Sequence, residues 1–302
     1  MYLAFYGLKE SPFSITPDPR FVFLSERHRD ALAHLLYGIG QGGSGGFVQL
    51  TGEVGTGKTT ISRLLLEQVP ENTRIAMLLH PRQSPMQLLE TITEELRITL
   101  KSRRLSNKLL IDAIHQYLLK AYADGLRVVL IIDEAQNLSI EALEQIRLLT
   151  NLETATQKLL QILLLGQPEL REQLARPQLR QLAQRVTARY HLTPLSAVET
   201  DAYVRHRLAV AGALAPLFTR LALRYLHWRS GGVPRLINVI ADRALVAGYV
   251  AEQRLIGWRL LRQAANEVLG ETASHHSAGR ILRIALGVGA AALTIGLWAW
   301  WR

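Results

Sequence analysis

Not one of the 302 residues is a cysteine, which excludes disulfides, thiolate metal sites and thiol nucleophiles and makes a reducing compartment the simplest setting. Charge is sparse, at 20% against 48% hydrophobic residues, so the chain is too apolar to be largely disordered and is long enough for two domains. The opening residues lack a basic stretch followed by an apolar run, so no signal peptide is expected and the N-terminus should stay in the cytoplasm. Lysine is missing from residues 171–262, although that segment holds fifteen arginines and only five acids. Its surplus equals the net charge of the whole chain, +10. Such a surface admits nucleic acid or anionic lipid as a partner, and it also suits arginines that serve an ATPase at a subunit boundary.

The chain then reads as alternating elements. The Pro- and aromatic-containing opening, SPFSITPDPRFVFLS, predicts an ordered extended arm leading into a helix near Glu26–Gly38. Apolar runs predict buried strands at Phe47–Leu50 and Arg127–Ile132 and further strands at Arg74–Leu79 and Leu159–Leu165. Helical spacing occurs between them, at Thr60–Gln68, Ser84–Arg97 (with Ser84 as cap), Asn107–Tyr122 and Ile140–Leu149. This alternation calls for a parallel sheet covered on both faces. From Glu169 the pattern is mainly helical apart from a strand-like Ala188–Leu192, with later helices near Glu199–Ala211, Ala215–Trp228, Pro234–Ala247 and Gly257–Leu269. The expected divisions are an arm and helix over 1–46, an α/β nucleotide-binding domain over 47–194, a helical lid over 195–269 and a linker over 270–283.

Residues 284–301 differ from everything before them: IALGVGAAALTIGLWAWW is eighteen residues without a charge, long enough to cross a bilayer. Trp298, Trp300 and Trp301 cluster at one end and Arg280 and Arg283 flank the other. That asymmetry predicts a single span with the arginines on the cytoplasmic side.

Between the first strand and the next helix runs Gly52-Glu53-Val54-Gly55-Thr56-Gly57-Lys58-Thr59, followed by Thr60. The pattern G-x-x-x-x-G-K-T in this setting is a phosphate loop, in which main-chain N–H groups at a helix start cradle phosphates. Lys58 would reach the β- and γ-phosphates of ATP and Thr59 would ligate Mg²⁺. The strand Val128–Ile132 ends in Asp133 and Glu134. Asp133 would hold the magnesium shell and Glu134 would act as general base on the attacking water, which argues for ATP hydrolysis rather than binding alone. Gln167, just past another strand end, is a candidate to orient water or sense the γ-phosphate. Arg235 follows Gly231-Gly232-Val233-Pro234 at the first turn of a lid helix, where it would contact ATP.

With these motifs in this order the chain resembles an AAA+ ATPase, a P-loop parallel-sheet domain carrying a helical lid. Residues 1–269, through MYLAFYGLKESPFSITPDPRF, LSERHRDALAHLLYGI, LTGEVGTGKTT, LLLGQPEL and QRVTARYHLTPL, look like the ExeA/GspA general secretion pathway ATPases. MSHA-type pilus biogenesis ATPases and transposition ATPases share parts of these motifs. The resemblance implies an inner-membrane ATPase working with a GspB/ExeB-type partner to assist assembly of the type II secretion secretin. It also implies a homo-oligomer completed by an arginine from the neighbouring subunit, for which Arg185 is the candidate, with Arg180 and Arg189 as alternatives. Longer members continue into a periplasmic peptidoglycan-binding domain that lies outside this sequence, so direct peptidoglycan contact is not expected. A DNA-binding ATPase of the transposition-regulator type is the competing expectation.

Overall fold

The computed structural model of the chain describes residues 1–16, 18–40, 46–79, 81–100, 104–154 and 158–270. Five strands are present among them: β1 (Phe47–Gly52), β2 (Thr73–Leu78), β3 (Arg127–Ile132), β4 (Leu160–Gly166) and β5 (Val186–Leu192). They form one sheet in the order β2-β3-β4-β1-β5, with every neighbouring pair parallel. The helices are α1 (Tyr2–Tyr6), α2 (Glu26–Ile39), α3 (Lys58–Gln68), α4 (Pro85–Glu95), α5 (Asn107–Ala123) and α6 (Ile140–Leu149). After them come α7 (Glu169–Leu174), α8 (Arg180–Ala183), α9 (Ala197–Val210), α10 (Arg220–Ser230), α11 (Pro234–Val250) and α12 (Trp258–Val268).

The continuous apolar run of β3 is explained by burial on both faces. Val128, Leu130 and Ile132, with Ile162 and Leu164 of β4, pack beneath α4, α5 and α6. Their neighbours Val129 and Ile131, with Leu163 and Leu165, face Leu32 and Leu35 of α2 and Ile61 and Leu65 of α3. Each such leucine or isoleucine contributes about 1.5–3 kcal/mol by leaving water, so the two faces together fix the strand register. Serine caps mark the helix starts legible in the sequence: Ser84 forms a capping box with Gln87, and Ser196 does the same with Glu199.

The largest departure from an expected helix span is in α10. The apolar spacing suggests a start near Ala215, yet α10 begins at Arg220, capped by Thr219. The preceding residues are drawn instead into a short parallel bridge, in which Ile256 N donates to Leu217 O and Thr219 N donates to Ile256 O. Among the described residues no helix is long and apolar enough to cross a membrane. The candidate span 284–301 and residues 271–283 of the expected linker lie outside the described residues.

The N-terminal arm does not pack on the sheet. Its Tyr6, Leu8, Phe13 and Phe21 join Leu226 of α10, Ile237 and Ile240 of α11 and Leu261 of α12 in a third core. Arg207 of α9 clasps the arm: Nε donates to Pro12 O (2.5 Å), Nη2 to Ser14 O (3.0 Å) and Nη1 to Tyr203 Oη (3.0 Å). The guanidinium also lies 4.9 Å from the Phe21 ring centroid, a cation–π contact. Arg207→Met should therefore strand the buried Pro12 carbonyl and the half-buried Ser14 carbonyl and lower stability by about 2–4 kcal/mol in urea unfolding. Tryptic cleavage after the exposed Arg20 should accelerate in the same variant. Unchanged stability and cleavage would mean that the arm is held by its aromatic packing alone.

Candidate functional site

Strand order places the site. β4 lies between β1 and β3, so the loop after β1, the acids after β3 and the polar residue after β4 emerge side by side at the carboxyl edge of the sheet. That edge is where open parallel sheets bind ligands.

The loop from Gly52 to Gly57 leads straight into α3, whose first residues are Lys58, Thr59 and Thr60. Lys58 is buried, and its Nζ donates to the Gly52 and Glu53 carbonyls at 2.6 and 3.0 Å. Burial lowers its pKa, opposed first by the charge of Glu134 and then by that of Asp133. Thr56 closes the turn through its hydroxyl to Glu53 O (2.9 Å). Val54 remains half-exposed at the loop tip. Gly55 has φ +81°, and a Cβ there would sit 2.6 Å from the Cβ of Arg235. Glycine at that position permits the lid helix to touch the loop, and Arg235 N donates to Gly55 O at 3.3 Å.

At the tip of β3 the two acids have opposite environments. Burial raises the pKa of Asp133, partly offset by the Glu134 N–H on its Oδ1 (2.8 Å), by Lys58 and by the Thr59 hydroxyl. For Glu134, burial also pushes upward, but amide donors and the Lys58 charge outweigh it and the net pKa is lowered. The donors are Gln136 Nε2 at 2.6 Å and Gln167 Nε2 at 3.1 Å, both to Oε2. Glu134 adopts φ +52°, a left-handed conformation uncommon for a residue with a side chain and typical of functional positions. Gln167 N in turn donates to Gln136 Oε1 at 3.1 Å, so the two glutamines lock each other.

The oxygen donors of Thr59 and Asp133 lie in contact beside the loop. No cluster of three or more acidic, His or Cys ligands occurs among the described residues. This sparse oxygen set suits Mg²⁺, which uses one or two protein oxygens together with phosphate and water, better than it suits a protein-caged metal.

A cavity of about 450 Å³ runs from these residues to the arm and lid, lined by Ile15, Phe23, Lys58, Glu134, Arg235 and Asn238 among others. Its size lies within the range of small-molecule sites. Two contributors escape the sequence pattern: Gln136, on the short 3₁₀ turn after Glu134, and His28 of α2, buried against Thr56 and Gly57. A glutamine or histidine outside a known motif carries no spacing signal; only the three-dimensional packing of α2 under the loop reveals the latter.

The candidate finger residues lie elsewhere. Arg185 immediately precedes β5, whose Val186 pairs with Phe47 at the amino end of β1, opposite the loop. Its guanidinium donates to Thr150 Oγ1 (2.8 Å) and Arg147 O (3.3 Å). Arg189 donates to Ala183 O at 2.5 Å, and Arg180 is exposed at the start of α8.

Comparison with known proteins agrees with this architecture. Residues 41–174 match the family model described as an AAA domain. The chain is 51% identical over 301 residues to General secretion pathway protein A of Aeromonas hydrophila, covering 99% of this chain and 54% of that protein. It thus spans about half the length of this relative, and the resemblance drawn from the sequence is borne out. Among solved structures, Cdc6p of Pyrobaculum aerophilum superposes with a TM-score of 0.67 at 20% identity, covering 85% of this chain and 70% of that one. Drosophila ORC bound to DNA gives 0.63 at 19% identity, with 85% and 64% covered. The Thermotoga maritima RuvB branch migration motor gives 0.53 at 18%, with 82% and 70% covered. These likenesses concern the fold alone: a P-loop AAA+ α/β domain with a parallel sheet.

The lowered pKa of Glu134 carries a linkage prediction. Its folded value lies below the unfolded one, so its contribution to stability is complete above the unfolded pKa and is lost as pH falls through the folded value. Gln136→Leu should raise the Glu134 midpoint, read by carbon-13 NMR of its carboxyl, and shift the acid loss of stability to higher pH. An unmoved midpoint would show that Gln136 does not hold the charge.

Proposed function

We propose that this chain is a Mg²⁺-dependent ATP hydrolase that works from the bacterial inner membrane to assist assembly of a type II secretion apparatus. The observation that carries the hydrolytic reading is Glu134: an ionised carboxylate at the cavity wall, oriented by two glutamine amides. Thr59 and Asp133 would hold magnesium, which would supply charge neutralisation on the transferring group. The loop N–H groups bind the phosphates, Lys58 shifts its ammonium from loop carbonyls to phosphate oxygens, and Arg235 adds positive charge from the lid. Glu134 polarises the attacking water, and Gln167 couples that carboxylate to the γ-phosphate position.

The division into an α/β domain ending near residue 194 and a lid over 195–269 supports a site that closes between them. An arginine supplied by a second copy would complete it. Arg185 is our assignment, with Arg180 and Arg189 as alternatives, and all three lie outside the cavity of their own chain, as a residue acting on a neighbour must. The membrane setting rests on the apolar run 284–301, and the GspB/ExeB-type partner and secretin rest on the likeness to General secretion pathway protein A. The fifteen arginines of residues 171–262 favour a second reading, a DNA-binding ATPase, which steeply salt-dependent DNA affinity would support.

Glu134→Gln should retain binding of a fluorescent ATP analogue while turnover falls about 10²–10⁴-fold. Lys58→Ala should lose binding. Unchanged turnover in the first variant would remove the general-base role. Mixtures of Arg185→Ala with Lys58→Ala subunits should recover part of the activity, and no recovery at any ratio would count against Arg185 acting in trans. Affinity capture from detergent-solubilised membranes should recover secretion components; recovery of a transposase would favour the second reading.

A further inference from the structure

We propose that His28 is a positioning residue of the phosphate loop, its Nε2–H fixing the Thr56 carbonyl so that the loop N–H groups stay turned towards phosphate. The inference rests on the ATP-binding reading of the loop.

His28 lies in the first turn of α2 and is 5% exposed. Both ring nitrogens have partners: Nε2 is 3.1 Å from Thr56 O and Nδ1 is 2.7 Å from Ser25 Oγ. A carbonyl only accepts, so the proton must sit on Nε2. Burial lowers the pKa of the ring, with the Thr56 carbonyl and the Glu199 charge opposing, and Nδ1 faces the Ser25 hydroxyl, which also neighbours the Glu199 carboxylate. The Nε2 proton is thus set by the Thr56 carbonyl. Ser25 is itself fixed, because its oxygen caps α2 by accepting from His28 N.

The same ring bounds the loop sterically. Gly57 adopts φ +108°, and a Cβ there would stand 3.0 Å from His28 Nε2. The peptide between Thr56 and Gly57 is therefore held at its carbonyl by a hydrogen bond, and a side chain at the next residue would crowd the ring. In a peptide plane the N–H points opposite to the C=O. Holding the Thr56 carbonyl towards α2 consequently turns the Gly57 N–H away from α2. Lys58, the next residue, makes the complementary contacts with Gly52 O and Glu53 O. The loop is thus held from the α2 side by a residue remote in sequence, as well as by its own lysine.

A glutamine can place an amide N–H where the imidazole Nε2–H lies, whereas asparagine reaches only as far as Nδ1 and phenylalanine keeps the ring volume without a donor. Loss of the donor leaves a buried carbonyl unpaired, and the expected effect is about a tenfold rise in the ATP dissociation constant. The test uses the chain of 302 residues in detergent, with a fluorescent ATP analogue for affinity, ATP turnover for kcat and KM, and thermal melting as the fold control. His28→Phe and His28→Asn should each weaken binding about tenfold and raise KM more than they lower kcat. His28→Gln should stay within about threefold of the parent. Should phenylalanine fail to fold, the comparison of asparagine with glutamine decides alone. Equal affinity in all three variants overturns the inference, as does equal loss in all three, which would mark His28 as packing only. Lys58→Ala separates this from the premise: if neither the parent nor that variant binds nucleotide, the ATP reading fails; if the parent binds, Lys58→Ala does not, and the His28 variants match the parent, the role of His28 fails alone.

Discussion

A phosphate-binding loop must hold several main-chain N–H groups pointing one way, which leaves their carbonyls pointing the other and needing partners. Most of the arrangement around Gly52–Thr59 answers that constraint. Lys58 takes the carbonyls of Gly52 and Glu53, His28 takes that of Thr56, and the main chain of Arg235 takes that of Gly55. These partners come from the loop's own helix, from α2 and from the lid. The loop is accordingly a junction of three elements, two of them sharing the core on one sheet face and the third belonging to the lid, and its conformation registers how each of them is seated.

The acids at the end of β3 show how little sequence distance is needed to separate two roles. Asp133 and Glu134 are consecutive, yet pleating sends one side chain towards Thr59 and the other, through a left-handed backbone, towards two amides. Burial raises one pKa, while hydrogen bonds lower the other in spite of burial. On the proposed reading, the carboxylate beside Thr59 serves a cation and the one fixed by amide donors serves water.

Much of this was legible before any coordinates. Continuous apolar runs gave β1, β3 and β4 because parallel strands are covered on both faces, and the loop and acid motifs gave the residues that line their ends. Serines before apolar periods gave several helix starts. What escaped depended on contacts between distant segments. The late start of α10 follows from a bridge to Ile256, the docking of the arm on the lid follows from Arg207 and a set of aromatics, and Gln136 and His28 acquire their roles only through neighbours remote in sequence. None of these produces a periodicity or a fixed spacing.

The arm's position has a topological consequence. Residues 1–23 share a core with the helices of 195–269, while the sheet lies between these two stretches in sequence, so the chain passes from one core to the other twice, near Leu24 and again near Pro194. Arg27 ties the two crossings together by donating to Thr193 Oγ1 and Pro194 O. A polypeptide ended at the second crossing would leave Phe13 and Phe21 with no surface to cover them, and one begun after the first would open a wall of the cavity. The stretch that carries the sheet is therefore inserted, in sequence, between two segments that share one core.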